Sequence, residues 1–449
     1  MFISKNSFLV VGLMNSGVSC AKQILKYGGK CYVYDDNQNA QVEENKQSLL
    51  LLGAIDASLN LQNAISNSQI VVLSPGVPID NKIPVLCRKM KKRIIGELEL
   101  GFLLCKSPIV AVTGTNGKTT TCSMIHNVLK NVGEDSHLVG NVGNPLCNEL
   151  ELLDQKSIAV TEVSSYQLET INAFCPHIGV VLNVSPDHLE RHYNMENYIY
   201  LKRRLLQNMR ESEWAVLNYD DKVVKDFAKN LRCQVVYFST KEMVDGCYLN
   251  GDAIYYKGEF VMKRSALPFT GEHNLENALA TVCVCKLLEL DNQSVVANLS
   301  AFEGVAHRIE HFATYEGVKF YNDSKSTNPN STIKAVRQMT EPTVLILGGR
   351  DKNVSYDEMF SEIKQSLIET MVIYGENKMI IYNEALKFGF KNLILTSSFE
   401  SAVKIADLHA KRGGAVLLSP ASASFDAFEN FEERGNEFKR IVNEIYSEE

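Results

Sequence analysis

A glycine-rich segment with a lysine and two threonines is the clearest chemical signal in the sequence. It reads GTNGKTT from Gly114 to Thr120, directly after the strand-like run IVAV and before a helical stretch. Backbone N–H groups at a helix N-terminus bind phosphate oxygens, Lys118 can neutralise phosphate charge, and the Thr119 hydroxyl can hold magnesium. The phosphate-loop pattern G-x-x-x-x-G-K has glycine where this chain has Val112, so a glycine-rich turn with a surface lysine remains the alternative.

Acidic and imidazole residues follow the next strand-like runs. Glu162 lies in TEVSSYQLE, and Asp187 and His188 lie in LNVSPDHLER. The carboxyl ends of parallel strands share one crevice, which predicts that these side chains face the same space as Lys118. Carboxylate oxygens suit Mg²⁺, whereas histidine is a softer ligand. Taken singly, each residue also fits an ordinary capping or core polar role.

Two later segments carry further candidates. Asp323, Lys325 and Thr327 lie in NDSKSTNP on a loop after a strand, where binding residues often occur. The segment SPASASFDAFENFEERGNEF begins at a strand end, and its alternative is a helix N-cap followed by an amphipathic helix.

Three consecutive basic residues lie in the helical stretch YIYLKRRLLQNM: Lys202, Arg203 and Arg204. A solvated basic face is the ordinary interpretation of such a run. Because successive helical residues point about 100° apart, we expect the two arginines to remain exposed on faces other than that of Lys202.

The first block contains a turn, Gly12 to Gly17, with Asp35 at the end of the next strand, in the outline of a dinucleotide fingerprint. Met14 takes the place of the glycine that lets the backbone approach a pyrophosphate, which argues against NAD. A modified nucleotide site and a packed βαβ turn both remain open.

Short β-branched runs alternate with helical patterns along the chain, which predicts a parallel α/β architecture. We place boundaries near Glu97 and Gly304, giving domains at 1–97, 98–304 and 305–449. Between Cys247 and Met262, tyrosines alternate with polar residues around two glycine turns, which predicts a small antiparallel meander.

The composition of the 449 residues excludes several classes of protein. With 46 Lys plus Arg against 53 Asp plus Glu, the net charge of -7 provides no general basic field for a nucleic acid. The eleven cysteines are scattered without a C-x-x-C pair, as expected for reduced thiols in the cytosol. No stretch approaches the roughly 20 apolar residues of a membrane helix, so we expect no membrane insertion.

The motifs GTNGKTT, TEVSSYQLE, NVSPDHLER, GEHNLENALA, HRIE and NDSKSTNP, in this order, resemble the Mur ligase family. These enzymes use ATP to add amino acids to a UDP-muramoyl precursor of the bacterial cell wall. The GLMNSG turn, SPG from Ser74 and the SPASASFDAFENFEERGNEF segment are similar to the members that add D-glutamate to UDP-N-acetylmuramoyl-L-alanine.

The resemblance implies three domains: a Rossmann-like N-terminal domain, a central P-loop ATPase-like α/β domain and a C-terminal Rossmann-like α/β domain. It also implies ATP and Mg²⁺ as cofactors, UDP-N-acetylmuramoyl-L-alanine and D-glutamate as substrates, and a role in peptidoglycan synthesis, cell shape and cell division. We expect a cytoplasmic monomer.

The resemblance further implies roles for individual residues. Lys118, His188 and Lys202 would be catalytic, with Lys202 as a carbamate, the anion formed when a neutral amine captures carbon dioxide. The implied metal ligands are Thr119, Glu162, His188 and Lys202. The implied ATP-binding residues are Gly114, Thr115, Asn116, Gly117, Lys118, Thr119, Thr120, Asn274, Asn277, Arg308, Asp323 and Lys325. The implied substrate-binding residues are Asn15, Ser16, Asp35, Asp36, Gly76, Asn141, Thr327, Lys352, Ser424 and Phe431.

Two other classes remain as alternatives. A folylpolyglutamate synthetase-like ligase would share the central block but not the first turn or the last motif. A non-catalytic nucleotide-binding regulator should have lost Lys202, His188 or Asp323, and the chain retains all three. A basic residue often expected after the Asp35 strand is replaced by Asp36 and Asn37.

Overall fold

The computed structural model describes residues 2–269, 271–302, 304–351 and 354–447. The chain forms two compact units, the first ending at Phe302 and the second beginning directly after it. In these described ranges there are three separate β-sheets with helices between their strands. The α/β class predicted from alternating strand and helix patterns is confirmed, whereas the boundaries at residues 97 and 304 remain predictions.

The first sheet has five parallel strands in the order β3-β2-β1-β4-β5. This order is that of a Rossmann-like fold, whose ligand crevice lies where the strand order reverses, next to β1. The strands are β1 (Ser7–Val11), β2 (Lys30–Tyr34), β3 (Ile55–Asp56), β4 (Ile70–Leu73) and β5 (Arg93–Gly96). The helices are α1 (Asn15–Lys26), α2 (Ala40–Leu51), α3 (Leu61–Asn67), α4 (Lys82–Lys89) and α5 (Glu97–Leu104).

The second sheet has nine strands in the order β14-β13-β12-β11-β10-β9-β6-β8-β7. The strands are β6 (Ile109–Thr113), β7 (Ser136–Gly140), β8 (Ile158–Glu162), β9 (Ile178–Val181), β10 (Trp214–Asn218), β11 (Gln234–Ser239), β12 (Gly246–Asn250), β13 (Ala253–Tyr256) and β14 (Glu259–Lys263). The helices are α6 (Lys118–Asn131), α7 (Leu146–Glu149), α8 (Ser165–Leu168), α9 (Leu189–His192), α10 (Met195–Arg203), α11 (Lys222–Asp226), α12 (Glu272–Leu287) and α13 (Asn292–Ser300).

The antiparallel meander predicted between Cys247 and Met262 is confirmed as β12, β13 and β14. Strand β12 also pairs in parallel with β11, so the meander extends the central sheet and is not a separate layer. The apolar residues of β6, β8 and β9 are buried on both faces, as expected for parallel strands covered by helices. These three strands end beside the phosphate loop.

The second unit contains one six-stranded sheet in the order β15-β16-β20-β17-β18-β19, parallel except for the β15–β16 pair. The strands are β15 (Glu310–Tyr315), β16 (Val318–Asn322), β17 (Thr343–Gly348), β18 (Ile368–Tyr374), β19 (Leu393–Leu395) and β20 (Ala415–Leu418). The helices are α14 (Pro329–Val336), α15 (Asp357–Ile363), α16 (Lys378–Lys387), α17 (Phe399–His409) and α18 (Phe431–Ser447). Among the residues described, no helix combines the length and apolarity needed to span a bilayer.

A buried polar cluster joins the first and second sheets within the first unit. Gln23 of α1 donates from Nε2 to the Cys147 carbonyl at 2.9 Å, and the Glu97 carboxylate accepts the Cys147 N–H at 2.8 Å. Within the described residues, Oε1 of Gln23 and Oε2 of Glu97 are buried without a hydrogen-bond partner. Burial raises the pKa of Glu97 to about 7. The folded state therefore favours the protonated form of this carboxyl group.

We predict that Glu97→Gln makes the protein less sensitive to rising pH. The folded pKa of Glu97, about 7, lies above its ordinary 4.5, so its favourable contribution is complete below pH 4.5 and is lost as the pH rises towards 7. The shift corresponds to about 3 kcal/mol across this window. Urea unfolding at pH 5 and pH 8 checks this: the variant should gain stability over the native chain at pH 8, and an equal difference at both pH values would contradict it.

Candidate active site

The phosphate loop lies between β6 and α6, where both of its glycines have positive φ. Gly114 has φ 158° and Gly117 has φ 85°. A Cβ atom at Gly117 would lie 2.3 Å from Oδ1 of Asn277, so the position accepts no side chain. Val112 lies inside β6, buried and paired in register with Glu162 and Val180. The departure from the phosphate-loop pattern therefore falls in the strand, and the loop itself begins at Gly114.

Lys118, the first residue of α6, folds back over the loop. Its Nζ atom donates to the carbonyl oxygens of Gly114 and Thr115, both at 2.9 Å. The Thr115 hydroxyl lies 3.2 Å from the hydroxyl of Tyr198 and accepts the N–H of Ser185 at 3.0 Å. The loop backbone is thus held on both sides before any ligand binds.

Lys202 is buried against the same loop. It projects from α10, is 1% exposed, and donates from Nζ to the Gly114 carbonyl at 2.8 Å. The ammonium nitrogen lies 4.6 Å from the centre of the Tyr198 ring. Burial lowers the pKa of Lys202 well below its ordinary value, the nearby Lys118 charge lowers it further, and Asp187 partly offsets both effects. The interpretation of Lys202 as part of a solvated basic face is therefore wrong.

The two arginines after Lys202 behave differently from each other. Arg203 is exposed, as expected, and donates to the Lys229 carbonyl at 2.8 Å. The expectation that Arg204 is also exposed is wrong. Its half-buried guanidinium donates to the carbonyl oxygens of Leu168, Glu169 and Ile171, which end the segment after α8. Arg204 therefore fixes local backbone, which the spacing in a helix does not reveal.

Glu162, at the end of β8, connects two of the predicted site residues. Its Oε2 atom accepts the Thr119 hydroxyl at 2.7 Å, and its Oε1 atom accepts the Asn141 side-chain amide at 2.8 Å. Glu162 is 2% exposed, so both of its oxygens are held in one orientation. A carboxylate and a hydroxyl beside a phosphate loop are hard oxygen donors of the type that Mg²⁺ uses together with phosphates and water.

The side chains beside His188 are those of Tyr166, Asp187 and Glu190. His188 lies just before α9 with φ 54°, and its Nδ1 atom is 3.0 Å from the hydroxyl of Tyr166. Asp187 and Glu190 are its nearest carboxylates, at 3.7 and 3.6 Å. Over the described ranges, no three His, Cys, Asp or Glu side chains are grouped as a metal site. Of the four predicted metal ligands, the structure brings only Thr119 and Glu162 into contact.

Helix α12 packs beside the phosphate loop. Asn277 is buried and accepts the Thr121 hydroxyl at 3.2 Å, while Asn274 lies one turn earlier on the same helix. Asn183 accepts the Asn116 N–H at 2.8 Å. Asn183 and Tyr198 were not predicted as site residues, although Asn183 lies within LNVSPDHLER and Tyr198 precedes Lys202 by four residues, about one helical turn.

In the first sheet, the predicted substrate residues line the turn after β1 and the strand ends beside it. Asp35 accepts the N–H groups of Leu13 and Asn37 at 2.7 and 2.8 Å, so its carboxylate supports the turn. Asp36 contacts the Tyr34 hydroxyl at 2.8 Å and lies 3.2 Å from Lys82. The remaining three are Asn15 and Ser16 at the start of α1 and the exposed Gly76 after β4.

The second unit groups several predicted residues after β16. Asp323 is 2% exposed and accepts the Ser419 hydroxyl at 2.7 Å and the Ile309 N–H at 3.2 Å. Burial raises the pKa of Asp323 to about 6, although these hydrogen bonds and the charge of Arg308 act in the opposite direction. Lys325 lies 5.6 Å from the centre of the Phe431 ring.

The other predicted residues of this unit lie on nearby loops. Thr327 is half-buried on the loop that contains Lys325, and Ser424 is buried after β20. The predicted D-glutamate contact Lys352 lies outside the described residues. Arg434 of α18, which was not predicted as a functional residue, is fully buried. It donates to the side chain and carbonyl of Ser324, at 2.9 and 2.8 Å, and to the Ser422 carbonyl at 3.1 Å.

Comparisons with known proteins agree along most of the chain. Residues 112–285 match the Mur ligase middle domain, and residues 307–422 match the Mur ligase glutamate ligase domain. Curated proteins named UDP-N-acetylmuramoylalanine–D-glutamate ligase are similar over the full length. The Caldanaerobacter subterraneus protein is 38% identical, covering 99% of this chain and 100% of its own. The Caldicellulosiruptor bescii protein is 39% identical, covering 99% of both.

Solved structures share the fold at lower identity. UDP-N-acetylmuramate-alanine ligase from Thermotoga maritima has a TM-score of 0.58 at 19% identity, covering 99% of this chain and 100% of its own. The MurF ligase from the same organism, solved in complex with ADP, has a TM-score of 0.52 at 20% identity, covering 87% and 91%. These likenesses confirm the three-domain α/β fold.

We predict that Gly117→Ala weakens binding of a nucleoside triphosphate at least tenfold. The new methyl group would displace Asn277 and move the loop that faces the phosphates. The matched control is Gly133→Ala, just beyond the other end of α6. Gly133 also has positive φ, 92°, but open space lies where its Cβ would be. Calorimetric titration should show near-native binding for the control, and similar losses in both variants would contradict the steric argument.

Proposed function

The chain belongs to the Mur ligase family, and from this membership and the geometry of its phosphate loop we propose an ATP-dependent ligase of peptidoglycan precursor synthesis. It joins D-glutamate to UDP-N-acetylmuramoyl-L-alanine by forming an amide bond. The full-length sequence identity of 38–39% to enzymes named for this reaction is the observation that carries the proposal. The loop with Lys118 and the buried Lys202 provides the chemistry that such a reaction needs.

The proposed reaction has two stages. First, the L-alanine carboxylate of the UDP-linked substrate attacks the γ-phosphate of ATP, giving an acyl phosphate and ADP. Second, the amine of D-glutamate attacks the acyl carbon, and phosphate leaves as the amide forms. We infer that Lys118 exchanges its contacts with two loop carbonyls for contacts with phosphate oxygens, where its charge would stabilise the transferring group.

Thr119 and Glu162 are the residues that would hold Mg²⁺. Their oxygens are 2.7 Å apart beside the first turn of α6, which suits a cation that binds one or two carboxylates together with phosphates and water. When bound, the ion neutralises negative charge that develops on the phosphates. Asn141 orients the Glu162 carboxylate and, by its position, would also contact the muramoyl substrate. His188 is proposed as a further ligand.

Lys202 is proposed to act as a carbamate. Its lowered pKa favours the neutral amine, whose lone pair can attack carbon dioxide to form a new N–C bond with release of one proton. The product is an anion with two oxygens, which replaces a cation that would repel magnesium. The burial of Lys202 beside the loop therefore supports the reaction on chemical grounds.

The other proposed contacts follow the family motifs. Arg308, Asp323 and Lys325 would contact ATP together with Asn274 and Asn277 of α12. Thr327, Lys352, Ser424 and Phe431 would receive D-glutamate. Asn15, Ser16, Asp35, Asp36 and Gly76 would surround the UDP group. We propose a cytoplasmic location and a monomeric state for the same enzyme.

The function is tested by measuring ADP release with UDP-N-acetylmuramoyl-L-alanine and a panel of amino acids. We expect turnover with D-glutamate and a loss of at least 100-fold with D-alanine or L-lysine, because an unmatched polar binding site costs a few kcal/mol. Equal coupling of all the amino acids would refute the assignment of D-glutamate.

We also predict that Lys118→Ala abolishes turnover while leaving binding of the UDP substrate, measured by calorimetry, unchanged.

We predict that Lys202→Ala removes most activity at saturating substrate and that acetate restores part of it by supplying a carboxylate to the vacated space. Arg203→Ala is the matched control, because this neighbouring cation is exposed and donates to one carbonyl only. It should retain near-native turnover. Isotope-labelled carbon dioxide should label the native chain and not the Lys202 variant. An unlabelled, fully active native enzyme would exclude the carbamate.

A further inference from the structure

Arg191 connects the first two sheets through a turn that faces the proposed UDP site. Its Nη2 atom donates to the carbonyl oxygens of Pro75 and Val77, at 3.3 and 3.2 Å. These residues flank Gly76, which is exposed and has open space where a Cβ would lie. The Val77 N–H donates to the Ser74 carbonyl at 2.9 Å and closes the turn. Arg191 therefore contacts the residues on both sides of the exposed Gly76.

A buried carboxylate fixes the orientation of this arginine. Glu169 accepts the Nε and Nη2 atoms of Arg191 at 3.0 and 2.6 Å, and its side chain is 3% exposed. His192 also lies 3.4 Å from Glu169. Burial and the charge of Arg191 lower the pKa of His192 to about 4, so Arg191 is the cation that balances Glu169 at neutral pH. The forked geometry leaves Arg191 one orientation, in which Nη2 reaches the turn.

The same arginine reaches the segment that carries His188 through an aromatic ring. The Arg191 guanidinium lies 4.9 Å from the centre of the Tyr166 ring, and the Tyr166 hydroxyl lies 3.0 Å from Nδ1 of His188. A second connection runs beside it, because the Tyr193 hydroxyl donates to Asp80, three residues after Val77. The turn after β4 and the residues around α9 are thus held as one assembly.

We propose that Arg191 is a positioning residue that holds the Pro75–Val77 turn at a fixed distance from His188, so that the uridine end and the reacting end of the substrate are aligned together. The inference rests on the proposed function for the identity of the substrate. The arginine itself touches backbone and a carboxylate, and it acts on the reaction through the turn. Lysine at this position keeps the charge but loses the Nε contact to Glu169, and with it the two-point contact that fixes the orientation of the guanidinium towards the turn.

The test compares Arg191→Lys with the native chain in steady-state kinetics and in hydrogen exchange. We expect the KM for UDP-N-acetylmuramoyl-L-alanine to rise about tenfold, the loss typical of a hydrogen bond to a charged group, while the KM values for ATP and D-glutamate change less than twofold. Exchange should accelerate in residues 74–80 and stay unchanged in α6. Tyr166→Phe should lower kcat without the change in KM, because it removes only the hydroxyl at His188.

Arg203→Lys is the matched control, since it replaces another arginine that donates to a backbone carbonyl but lies away from the turn. It should leave all three KM values unchanged. If Arg191→Lys does not fold, Glu169→Gln, which keeps the side-chain shape, should give a smaller change in the same KM. Equal rises in all three KM values, or unchanged exchange at residues 74–80, would overturn the proposal.

Hydrogen exchange and calorimetric binding of UDP separate this proposal from the proposed function, because neither requires turnover. A native chain that does not use D-glutamate but loses UDP binding and turn protection on Arg191→Lys would refute the proposed function alone. A native chain with full turnover and no response to Arg191→Lys would refute the positioning role alone.

Discussion

The geometry of the phosphate loop depends on one carbonyl that accepts hydrogen bonds from two lysines. The Gly114 oxygen lies 2.9 Å from Nζ of Lys118 and 2.8 Å from Nζ of Lys202. Two full positive charges this close repel each other, and the burial of Lys202 limits the water that could screen its charge. The conflict is resolved at Lys202, the more deeply buried of the two, whose ionised form is suppressed. Burial, together with the nearby charge of Lys118, therefore favours the neutral amine of Lys202 at this position.

Several other polar groups of the site are held in place by neighbouring side chains. Glu162 is held by hydrogen bonds from Thr119 and Asn141, and Asn277 accepts a hydrogen bond from Thr121. Preorganised groups of this kind need little rearrangement when charge develops during a reaction, which makes them effective in catalysis. Burial of polar groups has a cost elsewhere in the fold: among the described residues Oε2 of Glu97 has no hydrogen-bond partner, and burial raises the pKa of this carboxyl group to about 7. The buried guanidinium of Arg434 is instead paired with neutral oxygens of Ser324 and Ser422. Polar burial thus connects the stability of the fold to the chemistry of the site.

The strands and the phosphate loop were predictable because they depend on local patterns. The IVAV run, the glycines of GTNGKTT and the tyrosine alternation of the meander specify short segments without long-range information. Val112 looked like a defect in the motif, and pairing with Glu162 and Val180 showed that it belongs to the strand. The expected exposure of Arg204 and the solvated-face interpretation of Lys202 are wrong, because helical spacing gives the direction of a side chain but not what lies there.

The sequence by itself determined the family, the α/β class and the residue types available for phosphate, metal and acyl chemistry. Each of these motifs consists of residues that are neighbours along the chain, so it can be recognised without knowledge of the fold. Only the tertiary structure decided which of these residues share a site and in which charge state. The contact of Lys202 with Gly114 spans 88 positions, and the contacts of Arg191 with the Pro75–Val77 turn span 114 and 116. Burial and long-range contact set the pKa and the orientation of a side chain, and neither quantity is encoded by a residue and its immediate neighbours.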